Sequence, residues 1–201
     1  INKYRSSFRF YLAVHCRYDG LQQFYLYPDG LVQYSKLPYD PTSDDLASLL
    51  AGYPESSPIR HYQKHSLPRS YKQLIQSYNK NKNLPNLPSL QKLTEFFQTV
   101  FRPFRPHMCD CPIDSTIEGL HHRVHVYGAD VGFHRPSPHS NSYQPYLYEL
   151  NTGPQQIYDE TDWQDLILGM YHSLFQLIGI LPTSSIPPPT IEKNTWLAIP
   201  K

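Results

Sequence analysis

No uninterrupted apolar run reaches the length of about 18 residues that a helix needs to cross a bilayer, so no transmembrane helix is expected. The first residues also lack the charged, apolar and small-residue succession of a secretory signal. Excess charge of either sign is missing: 18 Lys and Arg stand against 17 Asp and Glu, a net charge of +1. That balance gives no broad field for nucleic acid or for an anionic membrane surface. Cysteine is scarce, with Cys16, Cys109 and Cys111 as the whole complement. An odd, small number argues against a disulfide scaffold and favours a reducing compartment, hence a cytoplasmic setting. Cys109-Asp110-Cys111 lies near His107, His121 and His122, but without the C-x2-C spacing of a structural zinc site. No internal repeat is visible.

What is present is tyrosine and proline, 17 and 20 of 201 residues. They point to strands and rigid loops rather than to a helical bundle. Residues 8–18 alternate, with Phe8, Phe10, Leu12, Val14 and Cys16 on one face and Arg9, Tyr11, His15 and Arg17 on the other. This predicts a half-buried strand. Asp19-Gly20 reads as a turn, Gln23 to Tyr27 as a second strand, Pro28-Asp29-Gly30 as a hairpin turn and Leu31 to Ser35 as a third strand. Residues 36–60 read as loop around a short helix from Asp44 to Leu50, capped by Thr42 or Ser43. Helices are predicted over Ser66 to Ser77 and Ser89 to Val100, separated by a polar loop from Asn79 to Pro88. Arg102 and Arg105 sit in a basic, Pro-rich connection suited to an acidic partner or simply to solvent. The strongest helix begins at a capping box, Thr161-x-x-Gln164, and ends at Gly179 and Pro182. Pro182 to Lys201 reads as a Pro-rich extended arm, on a partner or on the domain surface.

The chain is organised around Tyr127 to Pro154. Two short apolar runs, Tyr127-Gly-Ala-Asp-Val-Gly-Phe133 and Tyr146-Leu-Tyr-Glu-Leu-Asn-Thr-Gly-Pro154, flank a polar loop from His134 to Gln144. In a strand, residues two apart share a face, so the oxygens of Glu149 and Asn151 fall side by side. If the runs pair antiparallel, Asp130 can join them. Two carboxylates and an amide suit a hard cation such as Mg²⁺, which keeps its waters and carries nucleotide phosphates. The plain alternative is a solvated strand face. Arg9 offers a planar guanidinium fork that fits phosphate or acyl-phosphate oxygens; the plain alternative is a surface arginine.

Taken in order, these stretches resemble the tubulin-tyrosine-ligase-like family of ATP-grasp ligases. That family has a G-x-D strand followed by an apolar strand ending E-x-N-x-x-P, matched here by Tyr127-Gly-Ala-Asp130 and by Glu149-Leu-Asn151-Thr-Gly-Pro154. Its K-F-D-x-R strand is similar to Arg5-Ser-Ser-Phe-Arg9. At the family's Asp this chain carries Ser7, and the family's H-L-T-N stretch is replaced by Leu49-Leu-Ala-Gly-Tyr53. The resemblance covers roughly residues 3–180.

The resemblance implies an α/β fold, an antiparallel sheet flanked by helices like the C-terminal lobe of an ATP-grasp. It implies an ATP-grasp-like partial domain over residues 1–181 and a Pro-rich tail over 182–201. ATP and Mg²⁺ would be the cofactors, with the metal held by Asp130, Glu149 and Asn151. Arg9 would serve as the catalytic, phosphate-facing residue. The implied activity is ATP-dependent addition of glutamate, glycine or tyrosine to tubulin or another acidic protein tail, in the cytoplasm, on the cytoskeleton or in a cilium. An ATP-grasp also needs a front lobe upstream of the Arg9 strand. A longer parent chain or a further subunit is therefore expected. The alternative is a ligase-like domain that no longer catalyses and acts as an interaction module in a larger assembly.

Overall fold

The computed structural model describes residues 4–17, 21–51, 66–80, 85–109, 122–153, 161–182 and 196–200. Its centre is a five-stranded antiparallel sheet, with four helices among the described residues. The strands are β1 (Ser6–Arg17), β2 (Gln22–Tyr34), β3 (His122–His134), β4 (Gln144–Thr152) and β5 (Leu197–Ile199), in the spatial order β4-β3-β1-β2-β5. The helices are α1 (Leu46–Leu49), α2 (Tyr71–Asn79), α3 (Leu90–Phe101) and α4 (Thr161–Leu177). The α/β class expected from the sequence is the one observed.

β1 is the middle strand, and it corrects the half-buried expectation. Every residue from Phe10 to Cys16 is buried, Tyr11 and His15 included. A strand with a neighbour on each side and cover over both faces loses the polar-out alternation. β2 brings a second correction. It runs unbroken through Pro28-Asp29-Gly30, so the three-stranded meander is a single hairpin of two long strands. Two contacts override the turn chemistry. Asp29 Oδ1 accepts the Gly30 N–H at 2.8 Å and the Lys72 N–H at 3.0 Å. Gly30 is needed for close approach rather than for turning: a Cβ there would lie 2.8 Å from the Arg9 carbonyl oxygen and 2.9 Å from the Phe10 ring.

The chain divides into two compact units. One comprises residues 1–10, 29–88 and 129–150, the other 11–28, 89–128 and 151–201. The first unit packs around aromatics. Phe8 stacks on Phe133 with centroids 4.2 Å apart, and Tyr71 meets Phe8 and Phe10 edge-on at 5.9 and 5.1 Å. Tyr71 is the first residue of α2, whose N-cap is Ser70. The helix expected from Ser66 starts late because Ser66 has φ 51° and Ser70 bridges Leu31. In α1 the cap is Asp45, which accepts the Ala47 N–H at 2.9 Å, while Thr42 is held by Asp40.

The second unit is closed by a covalent tie as well as by apolar packing. Cys16 and Cys109 form a disulfide across 93 residues. The small, odd cysteine count argues against a disulfide scaffold and for a reducing compartment, yet two of the three cysteines are paired. Counting cannot see that β1 and the turn after α3 bring two distant thiols together. α3 buries Leu93, Phe97 and Phe101 along one stripe, and Ser89 caps it. α4 buries Ile167, Met170 and Leu174. It ends at Gly179, φ 79°, where the Ile180 N–H reaches back to the Phe175 carbonyl at 2.8 Å, the left-handed stop that Gly permits. The side chain of Thr161, which would open the capping box, lies outside the described residues, and Gln164 is exposed. The far end of the Pro-rich arm is built in: Trp196 is buried, and β5 pairs antiparallel with β2, Phe24 opposite Ile199. Arg105 stands 4.6 Å from the Phe24 ring centroid and donates to the Pro200 carbonyl at 2.6 Å. Half-buried, it ties the turn after α3 to β2 and to the residue after β5.

Candidate functional site

Arg9 sits on β1 between Phe8 and Phe10, whose rings anchor that end of the strand in the aromatic cluster. Asp130 sits on the adjacent strand β3. The two meet in a bidentate pair: Arg9 Nε donates to Asp130 Oδ1 at 2.8 Å and Nη2 donates to Oδ2 at 2.7 Å. Each side chain is 15% exposed, enough for solvent to reach the pair and too little to screen it fully. Parallel fork-to-carboxylate bonds are the strongest geometry available to these groups. Arg9 and Asp130, 121 residues apart in sequence, are thus the two expected site residues that the structure brings into direct contact.

Glu149 and Asn151 fall on β4, the edge strand beside β3. The sequence suggested a buried strand there. None of the β4 residues is buried. Glu149 is exposed and Asn151 half-buried. The two are separated by Leu150, so alternation turns them to the same side of β4. Among the described residues, no group of three His, Cys, Asp or Glu side chains could by itself hold a metal ion. The side chains of Asp130, Glu149 and Asn151 nonetheless all offer oxygen, the ligand type a hard divalent cation takes. The residue types fit a hard divalent cation.

Ser7, where the resembling family carries a carboxylate, donates its hydroxyl to Gln33 Oε1 at 3.2 Å. It ties β1 to β2 instead of adding charge. His125, on β3, has its pKa pushed down by burial and by the nearby Arg123 guanidinium.

The feature that the sequence reading missed is a tyrosine-walled cavity of ≈ 600 Å³ in the first unit. Tyr146 and Tyr148 share a hydroxyl–hydroxyl hydrogen bond on one wall. Their spacing of two on a strand was the available signal, but it was absorbed into the pattern of an apolar run.

No protein-family model matches the chain, and no curated protein matches it.

Proposed function

We propose that the chain is the nucleotide-facing part of an ATP-dependent carboxylate–amine ligase, similar to the tubulin-tyrosine-ligase-like enzymes. The observation that carries the proposal is the Arg9–Asp130 fork between neighbouring central strands. It holds at a fixed spacing the group types that phosphate oxygens and a cation select, and a bound nucleotide would have to compete with the bonds the two groups make to each other. Phosphoryl transfer asks the protein for positioning and charge neutralisation more than for covalent chemistry. In this reading Asp130, Glu149 and Asn151 hold Mg²⁺, and Arg9 steers the transferred phosphoryl group. ATP would transfer its terminal phosphoryl group to a carboxylate, leaving ADP and an acyl-phosphate; an amine would then attack the acyl carbon, expel phosphate and lose a proton to give the amide. Tubulin, or another acidic protein tail, is the proposed acceptor in a cytoskeletal or ciliary setting. No helix among the described residues is long and apolar enough to cross a membrane.

A second reading is favoured by one observation. Ser7 spends its hydroxyl on Gln33 within the sheet, as it would in a ligase-like module kept for interaction alone. Calorimetry of Mg²⁺-ATP against the longest natural form of the protein separates the two. Metal-dependent binding that Glu149→Gln abolishes supports the ligase. A folded wild type that binds no nucleotide leaves the interaction module.

A further inference from the structure

We propose that the first unit carries a binding site for a planar aromatic molecule with a single negative charge. The site is the ≈ 600 Å³ cavity, a size within the roughly 300–1,000 Å³ of small-molecule pockets. Tyr4, Tyr39, Tyr78, Tyr143, Tyr146 and Tyr148 contribute to its lining. Phe8 and Phe133, stacked on each other, add apolar wall. Such faces accept a flat ring by offset or edge-on stacking.

The charge of the guest follows from the lining. Among the described residues that line the cavity, Arg5 is the single charged one, and no carboxylate joins it. Its guanidinium stands 6.0 Å from the centroid of the Tyr39 ring, so the cation belongs to the wall. A cage of tyrosines alone would welcome a quaternary ammonium; one that contains an arginine repels it and draws an anion. The phenols add no negative charge. Tyr146 is pushed up to about 12 by burial and by its bond to Tyr148, and burial with Tyr143 beside it raises Tyr78 to about 12. One cation matches one anionic group, a carboxylate or sulfonate on an aromatic body.

The wall is also built before any guest arrives. Gly132 on β3 has no side chain, and a Cβ there would overlap the Tyr146 ring. Tyr146 therefore lies directly on the β3 backbone, where Tyr148 braces it through the shared hydroxyl bond and His134 meets it edge-on at 5.6 Å. Ordering these side chains in advance lowers the entropic cost of binding. The inference stands whether or not the chain binds ATP.

The test is a fluorescence titration with 8-anilinonaphthalene-1-sulfonate beside N-phenyl-1-naphthylamine, the same ring system without the sulfonate. The sulfonate is expected to bind at one site and to raise the unfolding temperature, as a ligand of the native state must. Arg5→Gln should weaken the sulfonate about fivefold, the scale of a solvent-accessible ion pair, and leave the amine unchanged. Arg5 is exposed, so the variant folds. Tyr148→Ser, at a residue 48% exposed, should weaken both probes by removing ring area. Equal affinity for the two probes, indifference of both to Tyr148→Ser, or a sulfonate that lowers the unfolding temperature would each overturn the proposal.

Discussion

The two halves of β1 are held by different physics. Ser6 to Phe10 belongs to the first unit and is fixed by the Phe8–Phe133 stack, the Tyr71 edge contacts and the Arg9–Asp130 fork. Tyr11 to Arg17 belongs to the second unit, where an unbroken run of buried residues ends in a disulfide at Cys16. One half carries solvent-reachable charge and tyrosine-lined space. The other carries none of the proposed chemistry and is closed covalently. The proposed sites lie in the half that carries the charged fork and the tyrosines. The covalent tie sits where the strand has nothing to do but stay in place.

Cutting the tie should give the largest effect. A disulfide that closes a loop of 93 residues restrains the unfolded chain by about 4–5 kcal/mol on the chain-entropy account. Cys109→Ser, or dithiothreitol on the wild type, should lower the unfolding temperature by several degrees or more. Hydrogen exchange should rise at residues 11–17 and 105–109 before it rises at 6–10. Equal loss of protection in both stretches would show that β1 answers as one piece, and the contrast between its halves would fail.

The fork of the first unit comes next. Arg9→Met removes two charge-assisted bonds to a carboxylate that is 15% exposed, for an expected loss of roughly 1.5–3 kcal/mol. Adding Asp130→Leu should restore part of that stability, because the pair carries a desolvation cost that two apolar groups do not. Urea unfolding of the two single variants and the double variant closes the cycle. A double variant worse than the sum of the singles would mean that the fork does not act as a pair in the native fold.

How much of this was legible follows the reach of each signal. α3 and the Gly179 stop were readable because capping and periodicity are local. The strand character of Tyr127 to Phe133 and Tyr146 to Asn151 was readable from apolar runs between turn residues. The Pro28-Asp29-Gly30 turn was misread because its chemistry is satisfied from afar, by the Lys72 N–H and by the closeness of Arg9 to Gly30. The disulfide was missed for the same reason: its partners are brought together by the sheet and not by spacing. Of the candidate site, the residue types were legible. That Arg9 and Asp130 would spend their charges on each other was not, since nothing in 121 intervening residues encodes strand neighbours. The tyrosine cavity is non-local in the same way, assembled from α2, the three strands β1, β3 and β4, and loop residues on either side of them.

The smallest effect tests where the first unit tolerates charge. Asp29 is buried, 6% exposed. Burial raises its pKa above the ordinary carboxylate value, and the Lys72 and Gly30 N–H bonds oppose that rise without cancelling it. A raised folded pKa means that the native state holds this proton more tightly than the unfolded chain does. The contribution of Asp29 to stability is therefore full below the ordinary value of 3.8 and is lost as pH rises through the folded value. An asparagine side chain at this position would keep an oxygen for both N–H groups and lose the charge. Asp29→Asn should consequently be at least as stable as wild type at neutral pH, with a margin that grows from pH 3.8 upward and then levels off. Asp29→Ala should cost roughly 1–3 kcal/mol at every pH, because the two N–H groups lose their acceptor. Chemical unfolding of the three proteins between about pH 3 and 8 measures both, a range that spans the carboxylate titration. If the margin of Asp29→Asn shrank as pH rose, the carboxylate would be stabilised in its charged form, and the first unit would hold a second favourable anion in place of a tolerated one.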